Sequence, residues 1–201
     1  KCTTNTNQHV HAVSIDLSKA FNRVNLNTLW NKLHQLNINS HLIQAIQSTY
    51  TNQRTHINIG NKFSRYFNLQ NGLRQGSVLS TSLYMIYMLT LTTSFNTLLE
   101  HFPDTLKLYI YVDDIFIISN NLNTLRKATL TLYKWAHLNN TVINAGKSKI
   151  ITSTQKHAKE WKNLQTFATE TGMKLTQSHT YLGYHISLLK NTFKEHTHLR
   201  R

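Results

Sequence analysis

The sequence predicts an α+β fold in which an antiparallel sheet packs against helices. Short β-branched runs alternate with apolar segments of helical period. Two of those runs flank a tight acidic turn, as neighbouring antiparallel strands do. The order of elements lacks the strand–helix–strand regularity of a parallel sheet.

Each element follows from its own residues. Residues 10–17, VHAVSIDL, are apolar and β-branched enough for a buried strand. In 25–36, Leu26, Leu29, Trp30, Leu33 and Leu36 recur at helical spacing. Ser40 is placed to cap a second helix carrying Leu42, Ile43, Ile46 and Tyr50. Residues 55–59 and 63–69 read as a hairpin turning at Gly60-Asn61. A glycine-containing loop, NGLRQGS, leads into a long apolar helix over 79–99. Two short strands, 106–111 and 115–118, flank VDD, and a helix over 122–138 follows. A strand at 149–152, a helix over 156–170 and a last hairpin around YLGYHIS, after Lys174, complete the chain.

The 201 residues, 40% hydrophobic, are enough for one domain with a real core. Lys+Arg number 22 against 8 Asp+Glu, a formal charge of +14. A chain this basic repels itself, and a polyanionic partner explains the excess, although biased gene composition would also enrich Asn, Thr and Lys. The single cysteine, Cys2, excludes an intrachain disulfide and a thiolate zinc cluster, and it fits a reducing, intracellular setting in cytoplasm or nucleus. The most apolar window, 83–99, is broken by Thr, Ser and Asn, so no membrane partner is expected, and no signal peptide is visible. The chain opens at Lys1 without an initiator Met, as a piece of a longer protein would.

The chemistry is expected at the acidic residues. Asp104 follows Pro103 in a loop and needs no special account. Asp16 closes an apolar strand, and Asp113 and Asp114 sit at the tip of LYIYVDDIFII. Adjacent carboxylates between β-branched strands are costly unless something positive neutralises them. Two divalent cations about 3.5–4 Å apart, clamping the attacking and leaving oxygens of an in-line phosphoryl displacement, would do so. A solvated turn is the plainer account of a lone DD.

At this point five segments resemble those of reverse transcriptases. SIDLSKAF is similar to the first catalytic motif, a strand-ending Asp followed five residues later by an aromatic. GLRQGSVLS resembles the loop facing template and nucleotide, in the RQG form of non-LTR retrotransposons. YVDD resembles the signature hairpin, INAGKSKI the N-x-x-K-[ST] segment, and YLG the primer-grip turn. They occur in the family's order between residues 9 and about 188.

The resemblance implies a polymerase palm with part of the fingers, one domain over 1–201, that adds dNTPs to a DNA primer 3′-hydroxyl on an RNA template. Asp16, Asp113 and Asp114 would hold two Mg²⁺ ions, with Mn²⁺ as an alternative, Asp114 being the less tightly coupled. Lys147 would stand near the leaving pyrophosphate and donate a proton or a positive charge. Backbone groups at Leu17 would approach the triphosphate, and Phe21 would occupy the space of a ribose 2′-hydroxyl. Arg74 would meet phosphate; Gln75 and Gly76 would face nucleotide and template, Gly76 allowing close backbone approach. Tyr181, Leu182 and Gly183 would place the primer end. Outside the resemblance, Phe21 reads as a core aromatic, Arg74 and the Lys147–Lys149 pair as solvated cations, and 181–183 as a plain turn.

Two departures stand out. Many non-LTR enzymes have Phe-Asp where this chain has Phe21-Asn22, and Thr81 stands where a proline is common. Upstream fingers motifs would precede Lys1, and fewer than twenty residues follow YLG, too few for a thumb. The rivals are a non-catalytic nucleic-acid-binding domain descended from a polymerase, a viral RNA-dependent RNA polymerase, which Tyr111-Val112 and Phe21 argue against, and a maturase- or telomerase-like relative. The scattered histidines, including His9-x-His11 and His196-x-His198, read as surface residues. Trp30, Trp135 and Trp161 read as packing residues. Arg54, Lys62, Arg65, Arg126, Lys127 and Lys134 suggest a broad phosphate-tracking surface.

Overall fold

The computed structural model describes residues 9–156, 158–188 and 192–195; Cys2 and the His196–His198 pair lie outside them. In chain order its elements are β1 (His11–Ile15), β2 (Leu17–Ser18), α1 (Leu26–Gln35), α2 (Ser40–Tyr50), β3 (Arg54–Thr55), β4 (Asn58–Ile59), β5 (Lys62–Phe63) and β6 (Phe67–Asn68). Then come α3 (Val78–His101), β7 (Leu106–Tyr111), β8 (Asp114–Ser119), α4 (Leu122–Leu138), β9 (Val142–Ile143), β10 (Lys149–Thr152) and α5 (Lys159–Thr171). The last strands are β11 (Lys174–Thr176), β12 (Ser178–Tyr181), β13 (Tyr184–Ser187) and β14 (Thr192–Glu195).

The main sheet runs β11-β10-β1-β8-β7. Its centre is β1, antiparallel to both neighbours, with Val13 opposite Ile117 on one side and Ile150 on the other. The fold class is α+β as expected, with one departure: β11 joins β10 in parallel register. The crossover through α5 makes that possible, since a parallel return needs a long connection.

The period-2 alternation of strands divides this sheet into two faces. Val13, Ile15, Ile115, Ile117 and Ile150 join Leu91 and Phe95 of α3 and Leu125 and Leu132 of α4 in the main core. Ala12, Phe116 and Ile151 face the other way and form a smaller cluster with Tyr181 and Ile186 of the three-stranded β12-β13-β14 sheet. Helices therefore cover one face and a small sheet the other.

Local chemistry sets the element ends. The Asn25 side chain accepts the Thr28 amide at the start of α1. In α2 the cap is Asn39, which accepts the His41 amide; Ser40 is already helical, which corrects the expected cap. At the end of α4, Asn140 takes a left-handed φ of 52° and the Thr141 amide reaches back to the Ala136 carbonyl at 2.8 Å. This Schellman-type stop turns the chain sharply toward β9.

Helix α3 is long and apolar enough to cross a membrane by length and composition alone, where the sequence reading found no stretch that reached that threshold. Its Leu83, Tyr84, Tyr87, Met88, Leu91 and Phe95 are buried in the core, so here it packs as a core helix. The expected 55–69 hairpin is instead two short ladders, β3 with β6 and β4 with β5, with Ile59, Phe63 and Tyr66 exposed. Trp135 is buried and its Nε1 donates to Thr90 at 2.9 Å, while Trp30 and Trp161 pack at the core edge, as expected.

Candidate active site

The strand that should carry Asp16 stops one residue short of it. β1 pairs with β10 up to Ser14 opposite Lys149, and pairing resumes with Leu17 opposite Ile143 in β2–β9. Between those pairs residues 15–16 face residues 144–148, a wide bulge that ends the regular ladder beside Asp16. The bulge loop supplies other partners. The Asp16 amide donates to Ser148 Oγ at 3.0 Å, and the Asn144 amide donates to the Asp16 carbonyl at 2.8 Å. The loop closes on itself, the Ser148 amide donating to the Asn144 carbonyl at 2.8 Å. Ser148 is buried, so leaving the Asp16 amide without it would cost roughly 1–3 kcal/mol.

Asp113 and Asp114 come from the β7–β8 hairpin. Tyr111 pairs with Asp114, leaving Val112 and Asp113 as a two-residue turn. Val112 has φ 55°, in the region glycine favours. A β-branched residue there is strained, and such strain collects at functional sites. The Asp113 carboxylate is exposed at the tip, whereas Asp114 is half-buried as the first residue of β8.

Asp16 and Asp113 open onto one polar cavity of about 510 Å³, shared with Leu17, Phe21, Gln75 and Lys147. The structure thus gathers six of the expected site residues from four separate chain segments. Phe21 follows Asp16 on a short 3-10 turn and stacks on Tyr84 at 4.5 Å, so it packs against the core while lining the cavity. The sequence reading missed Ser18, Lys19, Asn22 and Asn144, which line the same cavity. Asn144 belongs to the recognised INAGKSKI segment, in which only Lys147 had been singled out.

Arg74 and Gly76 lie next door, lining a cavity of about 420 Å³ that Phe21 and Gln75 also face. The guanidinium of Arg74 stands over the Tyr50 ring at 5.8 Å. Gly76 has φ +81° and no neighbour within 4 Å of where a Cβ would stand; its glycine is required by backbone angle, with open space above it. The tight approach is at Gly72, where a Cβ would fall 2.7 Å from the Asn22 carbonyl oxygen. The Leu73 amide donates to the Phe21 carbonyl at 2.8 Å there, tying the RQG loop to the Asp16 segment. Gln75 Nε2 donates to Asn22 Oδ1 at 3.1 Å, so the neutral Asn22 orients Gln75.

Tyr181 and Leu182 do not line the Asp16 cavity. They border an apolar cavity of about 440 Å³ against Tyr109, Tyr111 and Phe116 on the hairpin's other face. The Tyr181 ring packs on Phe116 at 4.8 Å and its hydroxyl lies 3.5 Å from the Asp114 carbonyl. Leu182 and Gly183 both have positive φ, as a type I′ hairpin turn requires.

Electrostatics mark the acidic tip. Burial raises the Asp114 carboxyl above its ordinary range, and the charges of Asp113 and then Asp16 push it further. Burial and the Asp113 charge likewise raise the Tyr84 phenol. No Asp or Glu occurs between Asp16 and Glu100 to add to that negative charge. Two carboxylates with amide oxygens alongside are the hard-oxygen set that divalent cations take, and the mutual repulsion is what a cation would relieve. Among the described residues no three His, Cys, Asp or Glu side chains form a ready chelate. Asp114 stands beside the Asp16–Asp113 cavity without lining it.

Two readings of surface residues change. His11 is fully buried, its Nδ1 2.9 Å from Thr152 Oγ1 and its Nε2 3.5 Å from Glu160. Arg126 is engaged in α4–α5 packing, with the Asn163 carbonyl at 3.1 Å, Glu170 at 3.5 Å and the Phe167 ring below it. Lys127 lies over Phe102. Arg54, Lys62, Arg65 and Lys134 remain exposed.

A sheet with acidic residues at its rim, helices on one face and a small sheet on the other defines a polymerase palm with part of the fingers. Residues 1–186 match the family described as reverse transcriptase (RNA-dependent DNA polymerase), and the chain belongs to that family. No curated protein sequence matches it at a significant level. Among solved structures it is similar to telomerase from Candida tropicalis in complex with a TWJ fragment of telomeric RNA. That match has a TM-score of 0.76 at 15% identity, covering 100% of this chain and 32% of that one. The apo enzyme truncated of its C-terminal domain matches with TM-score 0.72 at 17% identity, over 94% and 36%. Telomerase from Candida albicans with the same kind of RNA fragment matches with TM-score 0.70 at 12% identity, over 94% and 30%. The chain therefore spans about a third of the length of these telomerase chains.

Proposed function

We propose that this chain is the catalytic palm of an RNA-directed DNA polymerase working inside the cell, with an RNA template, a DNA primer and dNTPs as its partners. The observation that carries the reading is the meeting of Asp16, Asp113 and Lys147 on one polar cavity walled by Phe21. Asp16 and Asp113 would hold Mg²⁺, or Mn²⁺, with Asp114 in support; the bound metal supplies charge for an attacking hydroxyl and a leaving pyrophosphate. The Lys147 ammonium brings a proton and a positive charge to the same cavity. Leu17 offers backbone groups to a triphosphate, and Phe21, braced by Tyr84, fills the space of a 2′-hydroxyl. Arg74, Gln75 and Gly76 continue the wall toward the template, and Tyr181, Leu182 and Gly183 support the primer end from the hairpin's other face.

The acid-free stretch from 17 to 99, which holds Arg54, Lys62, Arg65 and Arg74, suits a phosphate backbone. RNA in two of the matched telomerase structures supports the template class. The RQG form of the Arg74–Gly76 loop favours the non-LTR retrotransposon type.

Primer extension on an RNA template tests the reading. In the intact protein Asp113→Asn should lower extension by roughly 100-fold or more, the scale of removing one electrostatic stabiliser. Asp104→Asn, on an exposed turn, should leave it unchanged. Equal synthesis by the Asp113 variant and the parent would reject the enzyme. RNA binding without any synthesis by the parent would favour a non-catalytic nucleic-acid-binding domain.

A further inference from the structure

We infer that Ser148, together with Asn144, is a positioning residue for Asp16, and that the 144–148 loop sets the metal affinity of the site. The inference rests on the proposed polymerase reading and deepens it. β1 would aim Asp16 by a continuous ladder if the ladder continued. It does not: regular pairing with β10 ends at Ser14–Lys149 and resumes only at Leu17–Ile143. Both backbone polar groups of Asp16 are met from the bulge instead, the amide by Ser148 Oγ at 3.0 Å and the carbonyl by the Asn144 amide at 2.8 Å.

These two contacts are of different kinds. The Asn144 contact is main-chain, and the loop's closure from the Ser148 amide to the Asn144 carbonyl holds it. The Ser148 contact is a side-chain hydroxyl on a residue 1% exposed, so water does not replace it when it is removed. Among the described residues, Ser148 is therefore the one whose side chain fixes the plane of the Asp16 peptide. A misaimed carboxylate holds its cation less tightly, as partners behind metal ligands generally show, with losses of roughly 10–100-fold.

The same loop carries Lys147, whose amide bonds the Asn144 carbonyl at 3.1 Å. Asp16 and Lys147 are thus held in one clasp across the cavity. This gives the serine in Asn-x-x-Lys-Ser a task separate from that of the lysine.

The test is Mn²⁺ binding followed by electron paramagnetic resonance, which needs no turnover, alongside primer extension against Mg²⁺ concentration. Ser148→Ala should weaken Mn²⁺ binding about 10-fold and raise the Mg²⁺ needed for half-maximal extension by a similar factor. Ser148→Thr, which keeps the hydroxyl, should restore both. Thermal melting of each variant separates folding from metal affinity. If Ser148→Ala melts lower yet binds Mn²⁺ as tightly as the parent, the inference falls. If Ser148→Thr fails to restore binding while melting like the parent, it falls as well. Absence of Mn²⁺ binding in the parent itself, matched by Asp113→Asn, would instead count against the polymerase reading on which the inference stands.

Discussion

The middles of β1 and β8 and their ends near Asp16 and Asp113 belong to the same two strands but are held by different means. In the middle, Val13, Ile115 and Ile117 are fully buried, and β1 is laddered to β8 and β10 on both edges. At the end, the ladder opens into a bulge, a serine hydroxyl substitutes for a strand, and Val112 takes a left-handed angle. Stability is spread over many interchangeable contacts in the middle, whereas at the rim single contacts aim single groups. Substitutions should therefore separate: the middle governs folding and the rim governs chemistry.

The largest effect expected on that basis comes from the middle. Ile117→Ala removes a fully buried side chain from the main core and should destabilise the fold by about 2–5 kcal/mol in urea unfolding. Extension by the molecules that remain folded should be close to that of the parent. A cost below about 1 kcal/mol would show that the middle is no more tightly built than the rim, and the contrast would be lost.

The same contrast explains what could be read from the residues alone. Helices α1, α2 and α4 were legible because burial imposes a helical period on residues such as Leu26, Leu29 and Leu33, and α3 and the β7–β8 hairpin because continuous apolar runs, such as Ile115 to Ile118, stand out in the local sequence. Asp16 and Asp113 were conspicuous as charge among apolar neighbours, whereas Lys147, between Gly146 and Ser148, stood out only through the resemblance of INAGKSKI to the family's segment. The bulge was not. Whether Ser148 points at a distant amide depends on the three-residue change in register between Ser14–Lys149 and Leu17–Ile143, and register is a tertiary property. The burial of His11 was hidden for a similar reason, since its partners Thr152 and Glu160 lie far along the chain. The parallel β11 needed knowledge of where α5 would return.

Titration offers a second way to sharpen the comparison, because His11, at the buried far end of β1, and Asp114, at the rim, should respond to pH in opposite senses. Burial lowers the His11 imidazole from its ordinary 6.5, and the opposing pull of Glu160 does not overcome it. The unfolded chain then binds more protons just below pH 6.5, so stability falls as pH drops through that range. At the rim, burial and then Asp113 and Asp16 raise the Asp114 carboxyl from 3.8. Here the folded chain binds more protons above pH 3.8, so this group's contribution to stability falls as pH rises toward the raised value. Melting temperature against pH in His11→Gln should show a shallower decline between pH 7 and 5, part of the decline persisting through His179, which burial lowers likewise. Asp114→Asn should remove the loss on the other side and melt higher than the parent at neutral pH. An unchanged melting profile in both variants would mean that neither end of the sheet is coupled to protons as described.

The smallest stability change is expected at Val112. A left-handed angle costs an L-residue about 1–2 kcal/mol, and glycine would relieve it. Against that, glycine gives up about 0.5–1 kcal/mol in chain entropy and loses the contact that the valine side chain makes with the main core. The opposing terms leave Val112→Gly within about 1 kcal/mol of the parent by urea unfolding. Its effect on extension should be larger than its effect on folding, because a freer turn aims Asp113 less well. If instead Val112→Gly lowered stability by more than about 2 kcal/mol while extension per folded molecule stayed constant, the tip would behave like the buried middle of β8, and strain there would have no part in setting the acidic site.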